Sequence, residues 1–289
     1  MPKVSVIIPT YNRSGYLKKA IESILSQSFE DFEILITDNA STDNTEETVK
    51  NFTDKRIKYF RNQENLGVVE NHNIALRHCC GEYIHIFSDD DIMLPNCLSK
   101  KIEIINNNDD ISLIHSDISI INSDDLIVNK EHWNRNRYKE KKIRDKILRN
   151  GITMKKYNFQ SLFYMWNFIS MPTVLVKKSV LFENGLFNQN TIYFCDWALW
   201  LKLAKNHNFY YLDSKTVLYR IHPLNIIKEN TTQNELTELT IMKNEVTSNK
   251  YCTNYLISKK QIEKFQNKKL TSLLEDIKYF LHLITKYFE

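Results

Sequence analysis

The sequence predicts an α/β fold in which a mostly parallel sheet carries helices on both faces. Short runs of apolar, β-branched residues alternate with segments whose apolar residues recur every three or four positions. This alternation is typical of parallel strands connected by helices. Hydrophobic residues make up 42% and charged residues 26% of the 289-residue chain. That composition can fill a sizeable core and excludes a disordered protein.

The predicted elements follow one another regularly along the chain. In the first third, strands are expected at residues 4–8, 32–37, 57–60 and 83–87. Helices are expected over residues 17–25, from residue 41, over residues 69–76 and after Pro95. Further strands are predicted at residues 111–121, 172–176 and 209–221, with a helix over residues 196–204. From about residue 230 the spacing becomes helical, and an apolar stripe runs from Ile262 to Phe288 opposite lysines.

Polar clusters follow three of the predicted strands. They are the segment from Thr10 to Arg13, the pair Asp38 and Asn39, and the three acids Asp89–Asp91, called the acidic loop below. Ligands of open parallel sheets bind beyond the carboxyl ends of the strands. The sequence therefore predicts a site where these three clusters meet.

The acidic loop is the sharpest chemical feature. Three adjacent carboxylates repel one another unless a positive group binds there. Oxygen ligands suit Mg²⁺ or Mn²⁺, and such ions usually also hold substrate phosphates. The alternative is an acidic turn that caps the helix after Pro95, and the residues alone leave both interpretations open.

Composition excludes several other classes. The five cysteines are odd in number and form no CxxC pair, which argues against a disulfide framework or a structural zinc site. The net charge of +4 does not indicate a nucleic-acid-binding protein. No signal-peptide pattern opens the chain, and no apolar run reaches the roughly 18 residues of a spanning helix. We expect a cytoplasmic protein that either stays in solution or lies on the membrane surface.

Several motifs together resemble the nucleotide-sugar-binding half and the acceptor half of family 2 glycosyltransferases, which have the GT-A fold. They lie at residues 4–13, 36–43, 65–67, 81–83, 88–91, 196–200 and 219–225. The resemblance implies a GT-A domain over residues 1–228, with a nucleotide-binding half at 1–95 and an acceptor half at 96–228. Residues 229–289 would form a helical extension.

The resemblance also implies a role for each matching residue. The donor nucleotide would contact Pro9, Thr10, Tyr11, Arg13, Asp38, Asp89 and Arg220. Mn²⁺ or Mg²⁺ would be held by Asp90, Asp91 and His222. Asp196 would be the general base of a single inverting displacement, and Trp197 would line the sugar pocket.

Five of these residues also have a structural alternative. Packing alone would account for Tyr11 and Trp197, and Arg13 and Asp196 are both placed to cap helices. Arg220 is equally suited to a leaving diphosphate and to a structural salt bridge. The sequence alone does not decide between the functional and the structural roles of these residues.

Three positions depart from the family pattern and bear on donor identity. Cys195 stands where an acid often precedes the base, Ser88 where the acidic loop usually has its first Asp, and His72 where Arg or Trp is frequent. The QxxRW signature of processive synthases is absent. We therefore expect transfer of one or a few sugars from a UDP- or dTDP-linked donor to a glycan or lipid-linked acceptor, as in capsule, O-antigen or lipooligosaccharide synthesis.

The residues argue against two other functions. A sugar-phosphate nucleotidylyltransferase needs a Gly-rich loop after the first strand, and only Gly15 is nearby. A non-catalytic nucleotide- or carbohydrate-binding protein would not need Asp90, Asp196 and His222 together. The apolar stripe of the tail fits a membrane surface, a homo-oligomer contact or docking on the domain, and the basic segment 130–156 fits either a solvated helix or an anion-binding patch.

Overall fold

The computed structural model describes residues 1–128, 152–153, 167–222 and 238. The predicted basic patch and the helical tail fall outside these residues, apart from the pair 152–153 and Glu238. Across the described part of the chain, no helix combines the length and the apolar character needed to cross a bilayer.

The described residues contain nine strands and six α-helices. The strands are β1 Val4–Thr10, β2 Phe32–Asp38, β3 Ile57–Arg61, β4 Tyr83–Ile86, β5 Ile92–Met93, β6 Ile111–Ile121, β7 Ile152–Thr153, β8 Val174–Lys177 and β9 Asn208–Arg220. The helices are α1 Ser14–Leu25, α2 Thr45–Lys50, α3 Val68–His78, α4 Cys97–Asn106, α5 Lys178–Asn184 and α6 Cys195–Ala204. A 3₁₀ turn, Met171–Thr173, precedes β8.

The strands form one sheet in the order β3-β2-β1-β4-β8-β6-β9-β5, with β7 paired to β9. Strands β1 to β4 pair in parallel, as do β6 and β9. Strands β8, β5 and β7 run antiparallel to their neighbours. The carboxyl ends of β1, β2, β4 and β9 and the amino end of β8 therefore lie at one edge of the sheet.

Helices cover both faces of the sheet. Apolar residues of α3, α5 and α6 pack against Ile7, Ile84 and Val176 on one face. Apolar residues of α1 and α4 pack against Ile8 and Leu175 on the other. The alternation of successive strand residues between the two clusters reflects the period of two in an extended strand.

The predicted α/β class with helices on both faces is confirmed. The sequence did not predict β5, β7 or α5. Two of these are two-residue strands that exist because they pair with β9, and such short segments carry no periodic signal of their own. The seven-residue helix α5 directly follows β8, and no element was predicted immediately after that strand.

At the opposite edge of the sheet, where the parallel strands begin, β2 carries a buried acid. Glu33 is 3% exposed. Its oxygens accept hydrogen bonds from the Ser5 hydroxyl at 2.6 Å, the Cys80 N–H at 2.8 Å and the Lys58 ammonium at 2.6 Å. Burial alone would raise the pKa of Glu33, but these donors hold it below its usual value. This network joins β1, β2, β3 and the turn before β4.

Candidate active site

The acidic loop follows β4 at the carboxyl edge of the sheet and is buried. Asp89, Asp90 and Asp91 are 4%, 7% and 1% exposed. Arg13, at the start of α1, places one guanidinium nitrogen 2.9 Å from Asp89 Oδ1 and 3.0 Å from Asp90 Oδ2. The predicted convergence of the first and third polar clusters is therefore present in the structure.

The end of β9 supplies the other contacts of the acidic loop. His222 Nε2 lies 2.9 Å from Asp90 Oδ2. The backbone N–H of Arg220 donates to Asp91 Oδ1 at 2.8 Å, and its Nε donates to the Asp90 carbonyl at 2.7 Å. The end of β9 thus contacts the acidic loop, although the two segments are about 130 positions apart in the sequence.

Arg220 is buried at 1% exposure and is committed to the protein itself. Its guanidinium donates to the Asn122 carbonyl at 2.9 Å and pairs with Asp125 on the turn after β6. It also lies over the Tyr16 ring, 4.8 Å from the centroid, and that ring contacts His222. These contacts correspond to the structural alternative for Arg220.

Burial and mutual repulsion change the charge state of the acidic loop. Burial raises the pKa of Asp89 to about 6, although the Arg13 charge opposes the shift. Burial and the neighbouring Asp90 charge raise the pKa of Asp91 well above its usual value. For Arg13, burial alone would lower the pKa, but the charges of Asp89 and Asp90 raise it. The loop therefore favours additional positive charge.

The donor set fits a divalent cation held partly by substrate. Asp90 and His222 offer an oxygen and an imidazole nitrogen that already converge, and Mn²⁺ accepts both. In the described residues, no group of three or more His, Cys, Asp or Glu has the geometry of a complete metal site. Two protein ligands with substrate phosphates and water in the remaining positions are typical of Mg²⁺-type sites.

The loops after β1 and β2 are tied together. Pro9 and Thr10 pair in register with Thr37 and Asp38. The Asn12 N–H donates to the Ser41 hydroxyl at 2.9 Å, with Asn12 in a left-handed conformation at φ 52°. Asn is among the residues that best tolerate this conformation. The loops that carry the first and second polar clusters therefore form one hydrogen-bonded surface.

Asp38 lies beneath that surface, with none of its area exposed. Its Oδ1 accepts the Ser41 N–H at 2.9 Å. Its Oδ2 accepts the Tyr59 hydroxyl at 2.6 Å and lies 3.5 Å from Arg61. Burial and this hydrogen bond raise the pKa of Tyr59. In this arrangement Asp38 fixes the β2 loop, and its neighbour Asn39 is held by hydrogen bonds with Asn62 and Asn65.

Tyr11 presents an exposed aromatic side chain at this edge, with 42% of its surface accessible. An open pocket of about 350 Å³ lies next to it along the first turn of α1. The pocket is lined by Asn12, Arg13, Ser14, Gly15, Tyr16, Lys19 and Asp43. Arg13 thus faces both the pocket and the acidic loop.

Asp196 reaches the same edge by a different route. Helix α6 joins β9 through three residues and runs back along the sheet, so its first turn lies at the carboxyl edge of β9. The amino end of β8 also lies at this edge, and Asn167, upstream of it, donates to Asp196 Oδ2 at 2.7 Å. Asp196 Oδ1 accepts the Trp197 N–H at 2.7 Å. The carboxylate is therefore oriented by two donors.

Trp197 itself belongs to the apolar core. It is 5% exposed, lies in the cluster formed with α3 and α5, and packs edge-on against Phe194. The packing alternative is the one that these contacts support.

The comparison with known protein families agrees with this arrangement. Residues 5–164, more than half of the chain, match the model of glycosyl transferase family 2. The chain is a family 2 glycosyltransferase. The acidic loop and the loops after β1 and β2 lie within the matched residues, whereas Asp196, Arg220 and His222 lie beyond them.

Curated relatives carry the same family name. The glycosyltransferase is 34% identical over 226 residues to the GalNAc(5)-diNAcBac-PP-undecaprenol beta-1,3-glucosyltransferase of Campylobacter jejuni, covering 76% of the chain and 65% of that relative. It is 31% identical over 225 residues to an uncharacterized glycosyltransferase of Methanocaldococcus jannaschii, covering 76% of the chain and 71% of the relative.

Solved structures show the same fold. S. aureus TarS 1-349 in complex with UDP-GlcNAc superposes with a TM-score of 0.66 at 17% identity, covering 86% of the chain and 67% of TarS. The mannosyltransferase PcManGT from Pyrobaculum calidifontis, in complex with GDP-Man and Mn²⁺, gives a TM-score of 0.57 at 16% identity and covers 86% of the chain and 70% of PcManGT. The predicted GT-A fold is confirmed.

Sequence reasoning missed several residues that shape the site. Tyr16 lies one helical turn after Arg13, a spacing that a periodicity argument can recover. Asn122, Asp125 and Asn167 carry no local signal, because each contacts a residue at least 29 positions away.

Arg220→Lys should lower stability by about 2 kcal/mol or more, because lysine keeps the charge but loses the planar fork that meets two carbonyls and a carboxylate. Urea unfolding measures the effect. The matched control is Arg77→Lys, which alters the ion pair of an exposed arginine with Glu70 and should cost about 0.5 kcal/mol or less. Unchanged stability of Arg220→Lys together with weakened UDP binding would instead assign Arg220 to the donor diphosphate.

Proposed function

We propose that this glycosyltransferase is metal-dependent and inverting, and that it moves a sugar from a nucleoside-diphosphate sugar to a hydroxyl of a glycan or lipid-linked acceptor. The observation that carries the proposal is the shared carboxylate of Asp90, which meets both Arg13 and His222 in a buried acidic loop. Such a loop needs a cation, and a diphosphate donor brings charge that a bound cation can neutralise.

In this proposal the donor lies across the carboxyl edge of the sheet. The exposed Tyr11 ring offers a face for the nucleobase, beside Thr10 and above the fixed β2 loop. Arg13, at the start of α1, contributes positive charge next to the acidic loop. Asp38 supports this surface from below through the Ser41 N–H. Asp89 adjoins the same guanidinium.

Asp90 and His222 would hold Mn²⁺ or Mg²⁺, with Asp91 beside them in the acidic loop, where its carboxylate accepts the Arg220 N–H from the end of β9. The cation would neutralise charge on the departing nucleoside diphosphate. Its use is supported by the fit of these ligands and by the Mn²⁺ in the fold relative PcManGT.

Asp196 would act as the general base. Its carboxylate would remove the proton of the acceptor hydroxyl as that oxygen attacks the anomeric carbon and the bond to the leaving phosphate breaks. One displacement inverts the configuration and needs no covalent nucleophile. Asn167 and the Trp197 N–H fix the carboxylate, and each oxygen keeps a second lone pair for the proton.

A UDP-linked donor and a polyprenyl-linked acceptor are the favoured substrates. The Campylobacter jejuni relative is named as a glucosyltransferase of an undecaprenol-linked glycan, and TarS was solved with UDP-GlcNAc. The undecaprenol-linked substrate of the Campylobacter relative supports a place in bacterial surface-glycan synthesis at the cytoplasmic membrane face. The chain spans 65% of the length of the Campylobacter relative.

Asp90→Asn should lower UDP release from UDP-glucose or UDP-N-acetylglucosamine by about 10²-fold or more, because the leaving group loses its charge compensation. Excess EDTA should abolish the wild-type rate, and Mn²⁺ or Mg²⁺ should restore it. The control Asp54→Asn alters a surface acid paired with Arg56 and should leave the rate within about twofold of wild type. Full activity in EDTA would disprove the metal assignment.

Asp196→Asn should lower kcat by about 10²- to 10⁴-fold, because the amide keeps the size of the carboxylate but cannot accept the proton. UDP affinity, measured by calorimetry, should stay unchanged. Asp213→Asn, which alters an exposed acid on β9, is the control. A near-normal rate would show that another group is the base, and loss of UDP binding would show that Asp196 is structural or belongs to the donor site.

A further inference from the structure

A buried carboxylate outside the predicted site contacts the loop that leads to Asp196. Glu238 is 7% exposed. Its Oε1 accepts the Ile192 N–H at 2.9 Å, and its Oε2 accepts the N–H groups of Tyr193 at 2.8 Å and Phe194 at 3.1 Å. One side chain therefore satisfies three successive backbone donors from 44 to 46 residues away.

These donors lie immediately before helix α6. Phe194 is its N-cap residue, and its side chain makes no capping hydrogen bond. Backbone N–H groups near a helix start need an acceptor when they are buried. A carboxylate at this position satisfies them and interacts favourably with the positive end of the helix dipole. Glu238 thus anchors the backbone before α6, which the apolar side chain of Phe194 does not do.

The position of residues 192–194 determines where helix α6 begins, and therefore where the Asp196 side chain lies. Asp196 lies two residues after Phe194, and its side-chain orientation depends on the Trp197 N–H of the same helical turn. Burial, the charge of Asp196 and the charge of Glu238 all raise the pKa of the Cys195 thiol, so both carboxylates lie near that thiol. Moving the helix start would therefore move the carboxylate relative to its second donor, Asn167.

We propose that Glu238 is a positioning residue for the catalytic base, through its hydrogen bonds to the backbone of residues 192–194. The inference rests on the proposed role of Asp196. Glu238 acts through the loop and does not contact the reacting atoms. Neither Glu238 nor residues 192–194 lie within the match to the family model, which ends at residue 164.

The contact itself can be tested without activity. Glu238→Gln replaces one acceptor oxygen by an NH₂ group that faces backbone donors. Hydrogen exchange of a peptide spanning residues 192–194, followed by mass spectrometry, should become about tenfold faster or more than in wild type. Unchanged exchange would overturn the contact, whatever the identity of the base.

Kinetics test the positioning role. With whichever of UDP-glucose and UDP-N-acetylglucosamine the wild type turns over, Glu238→Gln should lower kcat by about 10²-fold while the donor KM stays within about twofold. Glu238→Asp keeps the charge and should recover part of the loss. Unchanged kcat in Glu238→Gln would overturn the proposal. If Glu238→Gln does not fold, the same comparison is made with Glu238→Asp, where reduced kcat at unchanged KM supports the proposal and wild-type kcat overturns it.

A matched control separates positioning from general stability. Glu33 is also a buried glutamate that accepts three hydrogen bonds, but it lies at the amino edge of the sheet. Glu33→Gln should lower the melting temperature and leave kcat within about twofold of wild type. If both variants lower kcat in proportion to their loss of stability, Glu238 is only structural.

A double-mutant cycle distinguishes failure of this inference from failure of the proposed base. If Glu238 acts through Asp196, the double variant Glu238→Gln/Asp196→Asn should be no more than about twofold slower than Asp196→Asn alone. Additive losses would overturn the positioning role while leaving the base assignment intact. A near-normal rate of Asp196→Asn would instead refute the proposed function, and the hydrogen-exchange result would still stand.

Discussion

Mutual repulsion among three adjacent buried carboxylates is the constraint on which the rest of the site depends. The acidic loop is at most 7% exposed at any of its three positions, and charges so close together in a poorly solvated space need compensation. The chain supplies part of it. The Arg13 guanidinium at the start of the first helix pairs with Asp89 and Asp90, and the end of the last strand brings the Arg220 N–H to Asp91 and the His222 imidazole to Asp90. This explains why β9 must return to the carboxyl edge before the site is complete.

Because β9 must reach the acidic loop, the same strand also links the donor side of the site to the acceptor side. Strand β9 pairs with β6 along almost its whole length and also with β5, which directly follows the acidic loop. Helix α6 is connected to β9 by a short turn, so the strand that delivers His222 also determines where the helix of Asp196 lies. The proposed single inverting displacement needs the leaving group and the base on opposite sides of one reacting carbon. In this fold His222 and Asp196, the residues proposed to act on the two sides, are both positioned by the connection between α6 and β9.

The sequence was sufficient for most of the elements and for the edge of the sheet that bears the site, because both depend on local patterns. The strand predicted at residues 111–121 has those bounds in the structure, and the acidic loop follows β4 as expected. Contacts between residues that are distant in the sequence could not be predicted from these local patterns. Nothing in the local sequence marks Glu238 as the acceptor for residues 192–194, or Tyr59 as the partner that keeps Asp38 buried. The position of Trp197 in an apolar cluster that also contains residues of α3 and α5 is likewise a long-range feature that local patterns do not mark.

The central claim is that a cation binds between Asp90 and His222 together with the diphosphate of the donor. Titration of Mn²⁺ into the full-length protein, followed by electron paramagnetic resonance of the free ion, tests it directly. We expect one Mn²⁺ per chain in the presence of UDP, with affinity reduced more than about tenfold in His222→Gln. Equal Mn²⁺ affinity in the wild type and in His222→Gln, or no UDP-dependent Mn²⁺ binding to the wild type, would contradict the account.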